Sequence, residues 1–275
     1  MQLLFTVIMS LIGFGIVFFL SYYIAKTSEK ELREEREEYE QDYVKWQSYV
    51  KKAKERLENP EMEEEKFSVW QKIGAFFSRT SLSPTLEELN EYEWDFLNEP
   101  VKIPVYSIYK RIFIGIVGAI AFGTAWYGYG LSIQLFLVIA LDVLLLIITF
   151  VDLDAQIIPP KYNVCILLLG VIAIWLFPEV TFMQRVIGFF CISIPMQLVV
   201  MAVPGGFGGG DIKLMAAAGF LLGWKANVAA FFIGLILGGG YGIFALITKK
   251  RGRKEHFAFG PCLCIGIALA MYCDF

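Results

Sequence analysis

Histidine is almost missing from this chain: the single residue, His256, has no HExxH motif and no Cys-x-x-Cys pair beside it, which excludes a zinc site of standard spacing. The five cysteines, Cys165, Cys191, Cys262, Cys264 and Cys273, all fall inside or beside apolar runs, which excludes a secreted disulfide framework. Charge is absent from most of the length. Only 19% of residues are charged, against 57% apolar, and the mean hydropathy is +0.58. The charges gather between Lys26 and Arg111, so the pattern is that of a membrane protein with one polar insert. That insert holds 15 basic and 20 acidic residues, a net charge of −5, and is no nucleic-acid platform. Nor does it contain a glycine-rich nucleotide loop.

What is present are long apolar runs, at about 3–25, 112–129, 131–151, 163–177, 183–203, 212–224, 226–247 and 257–273. They predict an all-α polytopic membrane protein of about eight transmembrane helices, with a helical cytoplasmic insert between the first and second. Three regions follow: a first span over 1–25, the charged insert over 26–111, and a seven-helix membrane domain over 112–275. The first run is too long for a signal-peptide core and lacks its basic start and small-residue cleavage site, so it reads as a retained span. The sixth run is short and is expected to be tilted, partly buried, or to begin within the glycines before it.

Orientation follows from the basic residues. With the insert cytoplasmic, inside loops carry Lys161, Lys213 and the cluster Lys249, Lys250, Arg251, Arg253 and Lys254, whereas outside loops carry Arg185 and Lys225. Within the insert, Leu32, Tyr39, Tyr43, Trp46, Val50, Ala53 and Leu57 recur at helical spacing until Asn59 and Pro60, predicting an amphipathic arm continuous with the first span. A second helix is expected from the cap Ser83-Pro84 to a stop before Pro100.

Carboxylates in or beside membrane spans are costly and mark function. Asp142, Asp152, Asp154 and Asp211 are the four. Asp152 and Asp154 stand where a span meets the cytoplasm, ahead of Pro159 and Pro160, which end any continuing helix. Asp211 follows Gly208, Gly209 and Gly210, whose bare backbone lets an extended chain approach and permits conformations closed to other residues. Gly234, Gly238, Gly239, Gly240 and Gly242 are expected to pack helices instead. Asp142 lies about 15 Å deeper if helical, and reads as a structural contact or the lining of a wet cavity. Lys213 is either an interfacial anchor or electrostatic support for Asp211.

The segment Gly208-Gly209-Gly210-Asp211-Ile212-Lys213-Leu214 resembles the GxGD signature of the prepilin peptidase (type IV leader peptidase) family of membrane aspartic proteases. Val151-Asp152-Leu153-Asp154-Ala155-Gln156-Ile157-Ile158-Pro159 looks like that family's first aspartate motif, and Phe259-Gly260-Pro261 is similar to its carboxy-terminal motif. The resemblance implies catalysis by Asp152 and Asp211, supported by Asp154, Gly208, Gly209, Gly210 and Lys213, with no metal. It implies a bacterial cytoplasmic (inner) membrane enzyme whose site faces the cytoplasm. Its partners would be prepilins or pseudopilins with a basic leader and an apolar helix, and pilus or secretion assembly proteins. Many members carry two Cys-x-x-Cys pairs in the insert, resembling a zinc site, and methylate the new amino terminus with S-adenosylmethionine; this insert has no cysteine. Zinc is therefore not expected, proteolysis needs no cofactor, and S-adenosylmethionine enters only if the chain methylates. The family's Gly-Ser-Phe-Leu-Asn pattern is also not evident in Gly13-Phe14-Gly15-Ile16-Val17-Phe18-Phe19-Leu20, and Pro160 stands where an acidic residue commonly follows. A presenilin-like enzyme is disfavoured by the lack of Tyr-Asp and Pro-Ala-Leu motifs. The rivals from other classes are a proton or cation carrier built on the same acids, and a non-enzymatic assembly scaffold.

Overall fold

The structure, a computed structural model, describes residues 2–57, 106–202, 207–247 and 258–272. Among these residues there are nine α-helices and no strand. They are α1 (Gln2–Leu57), α2 (Ile108–Tyr129), α3 (Ile133–Ala155), α4 (Pro160–Leu176), α5 (Phe182–Cys191), α6 (Ser193–Ala202), α7 (Gly209–Leu222), α8 (Trp224–Ile247) and α9 (Gly260–Met271). Met1–Glu31 with Pro104–Phe275 form one compact unit, and Leu32–Ile103 a second. The helix expected from Ser83, the stop at Asn59 and Pro60, the Lys249 to Lys254 cluster, His256 and Cys273 lie outside the described residues.

Each apolar run forms helix over most of its described length. Among the described residues, five stretches are long and apolar enough to cross a membrane: the first part of α1, α2, α3, α5 together with α6, and α8. The other three, α4, α7 and α9, have 17, 14 and 12 residues, below the roughly 20 of a full crossing. The fifth run is broken at Ile192, where Pro195 removes the N–H that would reach Cys191 and Ser193 Oγ donates to the Phe189 carbonyl at 2.5 Å.

The sixth run starts inside the glycines, at Gly209, and it is short because it is interior. Asp211, Leu214 through Gly219, Leu221 and Leu222 are all buried on α7, as a helix apolar on every side requires, and α4, α5, α8 and α9 adjoin it. Small residues let the neighbours close in. A methyl on Gly188 of α5 would meet the Gly219 carbonyl oxygen at 2.2 Å, and one on Gly219 would meet that of Gly188 at 2.1 Å. Asn227 seals this crossing by donating to the carbonyls of Gly188 (3.0 Å) and Met215 (3.3 Å). On α8, Gly234 and Gly238 do pack against α9, but Gly239, Gly240 and Gly242 have open space around them, so the packing role extends to two of the five.

Arg185 corrects the reading of the outer loops. It is fully buried, and its guanidinium donates to the carbonyls of Ala173 (2.9 Å), Phe177 (3.0 Å), Phe220 (3.4 Å) and Leu221 (2.5 Å). These carbonyls lie at the C-terminal ends of α4 and α7; those of Ala173 and Phe177 also accept from the N–H groups of Phe177 (2.9 Å) and Val180 (3.3 Å), and the guanidinium adds a second partner there while serving Phe220 and Leu221 as well. One cation thus closes two helices, and its planar fork suits the task better than lysine would. Arg185→Met is expected to destabilise the protein by about 2 to 3 kcal/mol, because the carbonyls of Phe220 and Leu221 at the end of α7 lose the guanidinium. Thermal denaturation in detergent measures it; an unchanged midpoint would mean that water replaces the guanidinium.

Candidate active site

The polar end of the bundle is assembled where α1 leaves the apolar region, α2, α4, α7 and α9 begin, and α3 ends. On α1, Val17, Ser21, Ile24 and Ser28 form one buried face at helical spacing. It packs closely on α2, since a methyl on Gly118 would lie 2.5 Å from Val17 Cβ. Helix α3 runs past the expected end and carries Asp152 and Asp154 in its last turn. Gln156 terminates it in the left-handed region (φ 55°, ψ 29°), its N–H bonded to the Asp152 carbonyl at 2.8 Å. The two prolines therefore do not stop α3: Pro159 is the N-cap and Pro160 the first residue of α4, where a missing N–H costs nothing.

Asp152 is 5% exposed, and its Oδ2 accepts from the Gly260 N–H at 3.0 Å. Gly260 is the first residue of α9, so a free N–H of a helix N-terminus points at the carboxylate. Asp211 is 8% exposed and lies in the first turn of α7, where its Oδ2 accepts from the N–H of the N-cap residue, Gly208, at 3.2 Å. Each carboxylate is thus held through one oxygen at a helix start. The two are close enough for the charge of Asp211 to act on Asp152.

Packing explains why these helix starts converge. Phe207 and Phe259, each next to the glycine that donates, pack in a tilted pair with ring centroids 5.6 Å apart and planes at 51°. Ile158 fills the space between: a methyl on Gly210 would lie 2.8 Å from its Cβ, and one on Gly260 would lie 3.1 Å from its Cδ1 and 2.7 Å from Asp152 Oδ2. Glycine is required at 210 and 260 by close approach. Backbone freedom is not the reason at the GxGD run, since Gly208 has an ordinary extended backbone (φ −72°, ψ 143°) and positive φ among glycines occurs only at Gly130 and Gly223 of the described residues. Gly208 and Gly209 are exposed, and among the described residues nothing lies within 4 Å of a methyl placed on Gly209.

Asp154 is engaged elsewhere. Its Oδ1 pairs with Lys110 Nζ at 2.6 Å, and its Oδ2 accepts from Tyr106 Oη at 2.5 Å and Ser28 Oγ at 3.5 Å. Burial first, and then the hydrogen bond to Asp154, push the Tyr106 phenol above its ordinary value and keep it a donor. Lys161 pairs with Glu31 at 2.9 Å. These contacts tie α1 and the start of α2 to the ends of α3 and α4. Asp154→Asn is expected to leave the protein folded with only a small fall in its thermal midpoint, since Ser28 and Tyr106 still find an acceptor and Lys110, a third exposed, keeps contact with water. A large fall in that midpoint would mean that the ion pair with Lys110 is what holds these helix ends together. Lys213 is exposed and no hydrogen bond to Asp211 is formed among the described residues.

Three neighbours were not singled out from sequence. Gly260 was read as part of a motif only, although a Gly-Pro pair opening an apolar run signals a helix start with a free N–H. Ile158 likewise stands only inside the quoted aspartate motif, with nothing to set it apart from Ile157. Asn163, 6% exposed on α4, reaches the Gly210 carbonyl with Nδ2 at 3.5 Å, and a polar residue early in an apolar run was its only mark.

The fold and the site together define an all-α membrane protein with a buried pair of aspartates at one end of its bundle. Residues 137–243 match the model of the type IV leader peptidase family. Curated relatives named prepilin leader peptidase/N-methyltransferase include those of Bacillus subtilis, 30% identical over 56% of this chain and 62% of theirs, Legionella pneumophila, 29% over 54% and 53%, and Neisseria gonorrhoeae, 28% over 60% and 55%. Over these stretches the chain is similar to the type IV leader peptidase, or prepilin peptidase, family. It spans about half to three fifths of the length of these relatives. No solved structure matches it significantly. Asp152, Asp154 and Asp211 lie inside the family match, and Gly260 lies beyond it.

Proposed function

We propose that this chain is a membrane aspartic endopeptidase that removes the short basic leader of prepilins or pseudopilins at the cytoplasmic membrane face. The observation that carries the reading is the pair of buried carboxylates, Asp152 and Asp211, each held through one oxygen by a backbone N–H, beside the exposed backbone of Gly208 and Gly209. One carboxylate deprotonates the water that attacks the scissile carbonyl carbon. The other, protonated, donates a hydrogen bond to the carbonyl oxygen. As the tetrahedral intermediate collapses, the proton taken from water passes to the leaving amine. Two like charges in a site with little water share one proton, which provides both roles at once.

A peptide bond is cut only when extended, and the open space over Gly209 next to Asp211 suits an unwound substrate segment. The inner-membrane orientation is part of the proposal. Lys110, Lys161 and Lys213 stand at the starts of α2, α4 and α7, the end that holds the aspartates, and with Arg185 buried the opposite end keeps Lys225 of the two charges assigned to it. A basic leader retained in the cytoplasm by the same rule reaches the depth of the pair. The relatives' names join an N-methyltransferase to the peptidase. Methylation of the new amino terminus from S-adenosylmethionine is the second activity in this reading, and no residue is assigned to it.

Purified protein in detergent, incubated with a synthetic prepilin, tests the proposal by mass spectrometry of the products. Cleavage after the basic leader is expected, and adding S-adenosylmethionine reports methylation as a mass increase of one methyl on the mature product. Recovery of intact prepilin from folded enzyme would sink the peptidase reading and favour a carrier or a scaffold.

A further inference from the structure

Of the buried acids among the described residues, Asp142 alone has no part in the hydrolysis proposed above. It is 4% exposed, on α3, about 15 Å along the helix from Asp152. Its Oδ2 accepts from Tyr272 Oη at 3.0 Å. Tyr272 is the C-cap residue of α9, and α9 is the helix whose first N–H holds Asp152. The same two helices are therefore fastened at two levels, at Asp152 with Gly260 and at Asp142 with Tyr272. The intervals correspond, about 15 Å along α3 and about 18 Å along α9.

Helix α9 needs a fastening at its far end. With 12 residues it is about 18 Å long, short of a hydrocarbon layer roughly 30 Å thick. Its last carbonyls must find partners inside the protein. Tyr129, at the end of α2, donates to the Met271 carbonyl at 2.8 Å, and its ring lies 6.1 Å from that of Tyr272. The near end has little slack, because a single methyl on Gly260 would already lie 2.7 Å from Asp152 Oδ2.

We infer that Asp142 is a positioning residue of the active site, acting through Tyr272 and α9 to hold the Gly260 N–H against Asp152. The kinetic part of this inference rests on the peptidase reading, whereas its structural part does not. Three variants test it: Tyr272→Phe, which deletes one hydroxyl, Asp142→Leu, which removes the acceptor, and Asp142→Asn, whose amide oxygen still accepts. Hydrogen exchange over residues 258–264 is expected to speed up about tenfold in the first two and to stay near wild type in the third. With a prepilin substrate, kcat is expected to fall about tenfold in the first two with KM within about twofold, and Asp142→Asn recovers most of the rate. The double variant Tyr272→Phe/Asp142→Leu should be no slower than Asp142→Leu alone. Unchanged exchange in both disruptive variants overturns the inference whatever the enzyme cuts. Faster exchange with unchanged kcat overturns it as well, because α9 would then move without consequence for Asp152. If the wild type cuts nothing, the peptidase reading fails by itself and the exchange measurement still decides the tie.

Discussion

Asp152→Asn and Asp211→Asn are each expected to lower prepilin cleavage by about 10³-fold or more while leaving the protein folded. Asparagine has the shape of aspartate and its amide oxygen can still accept the N–H of Gly260 or Gly208, so both helix starts keep their partner. What is lost is the ability to take and return a proton. Proton transfer by a positioned group contributes about 10²- to 10⁴-fold, and here one group must act as base and the other as acid, so neither substitutes for the other. Stability should not fall, because removing one charge relieves both its burial and its repulsion by the other. Each Asn variant should therefore melt at or above the wild-type temperature in the same detergent. The wild-type rate should drop toward both acid and alkaline pH, since either a second proton or the loss of the shared one disables the pair. An Asn variant that cuts at the wild-type rate would remove that residue from the mechanism.

The helices and the acids were legible in the sequence for different reasons. Apolar runs announce helices because a membrane leaves the backbone few other ways to satisfy its polar groups, and Asp152 and Asp211 stand out because a carboxylate there is expensive. What the aspartates touch was not legible. Nothing in the pattern around Asp152 says that its partner is an N–H 108 residues further on, at Gly260. Arg185 misled for a related reason: one cation between two apolar runs reads as a loop charge, and only the arrival of two helix C-termini at the same point turns it into an interior cap. Pro159 and Pro160 were correctly read as a boundary, but they start α4, while the stop of α3 is set by Gln156, a residue with no strong turn signal. Asp142 was noticed as an acid, and its partner Tyr272 could not be found from spacing because the contact joins helices 130 residues apart.

Gly260→Ala should be the most damaging of the small substitutions that spare both acids, with cleavage reduced by about 10²- to 10³-fold. The methyl would lie 2.7 Å from Asp152 Oδ2, 3.0 Å from its Cγ and 3.1 Å from Ile158 Cδ1. Real carbon atoms do not approach so closely, so either the carboxylate rotates away from α9 or the start of α9 is pushed out. Both routes break the 3.0 Å hydrogen bond that holds the Asp152 carboxylate. Losing one preorganised donor costs about 10² to 10³ in rate elsewhere in catalysis, and a misplacement of about 1 Å costs about 10². The same change at Gly209, where a methyl meets open space, should leave turnover by the pair intact and act, if at all, on KM for the prepilin. Measuring both variants on one substrate separates the two effects: Gly260→Ala lowers kcat, and Gly209→Ala does not. Equal kcat values for the two would mean that the α9 start yields without disturbing Asp152, and the helix-terminus account of the site would have to be given up.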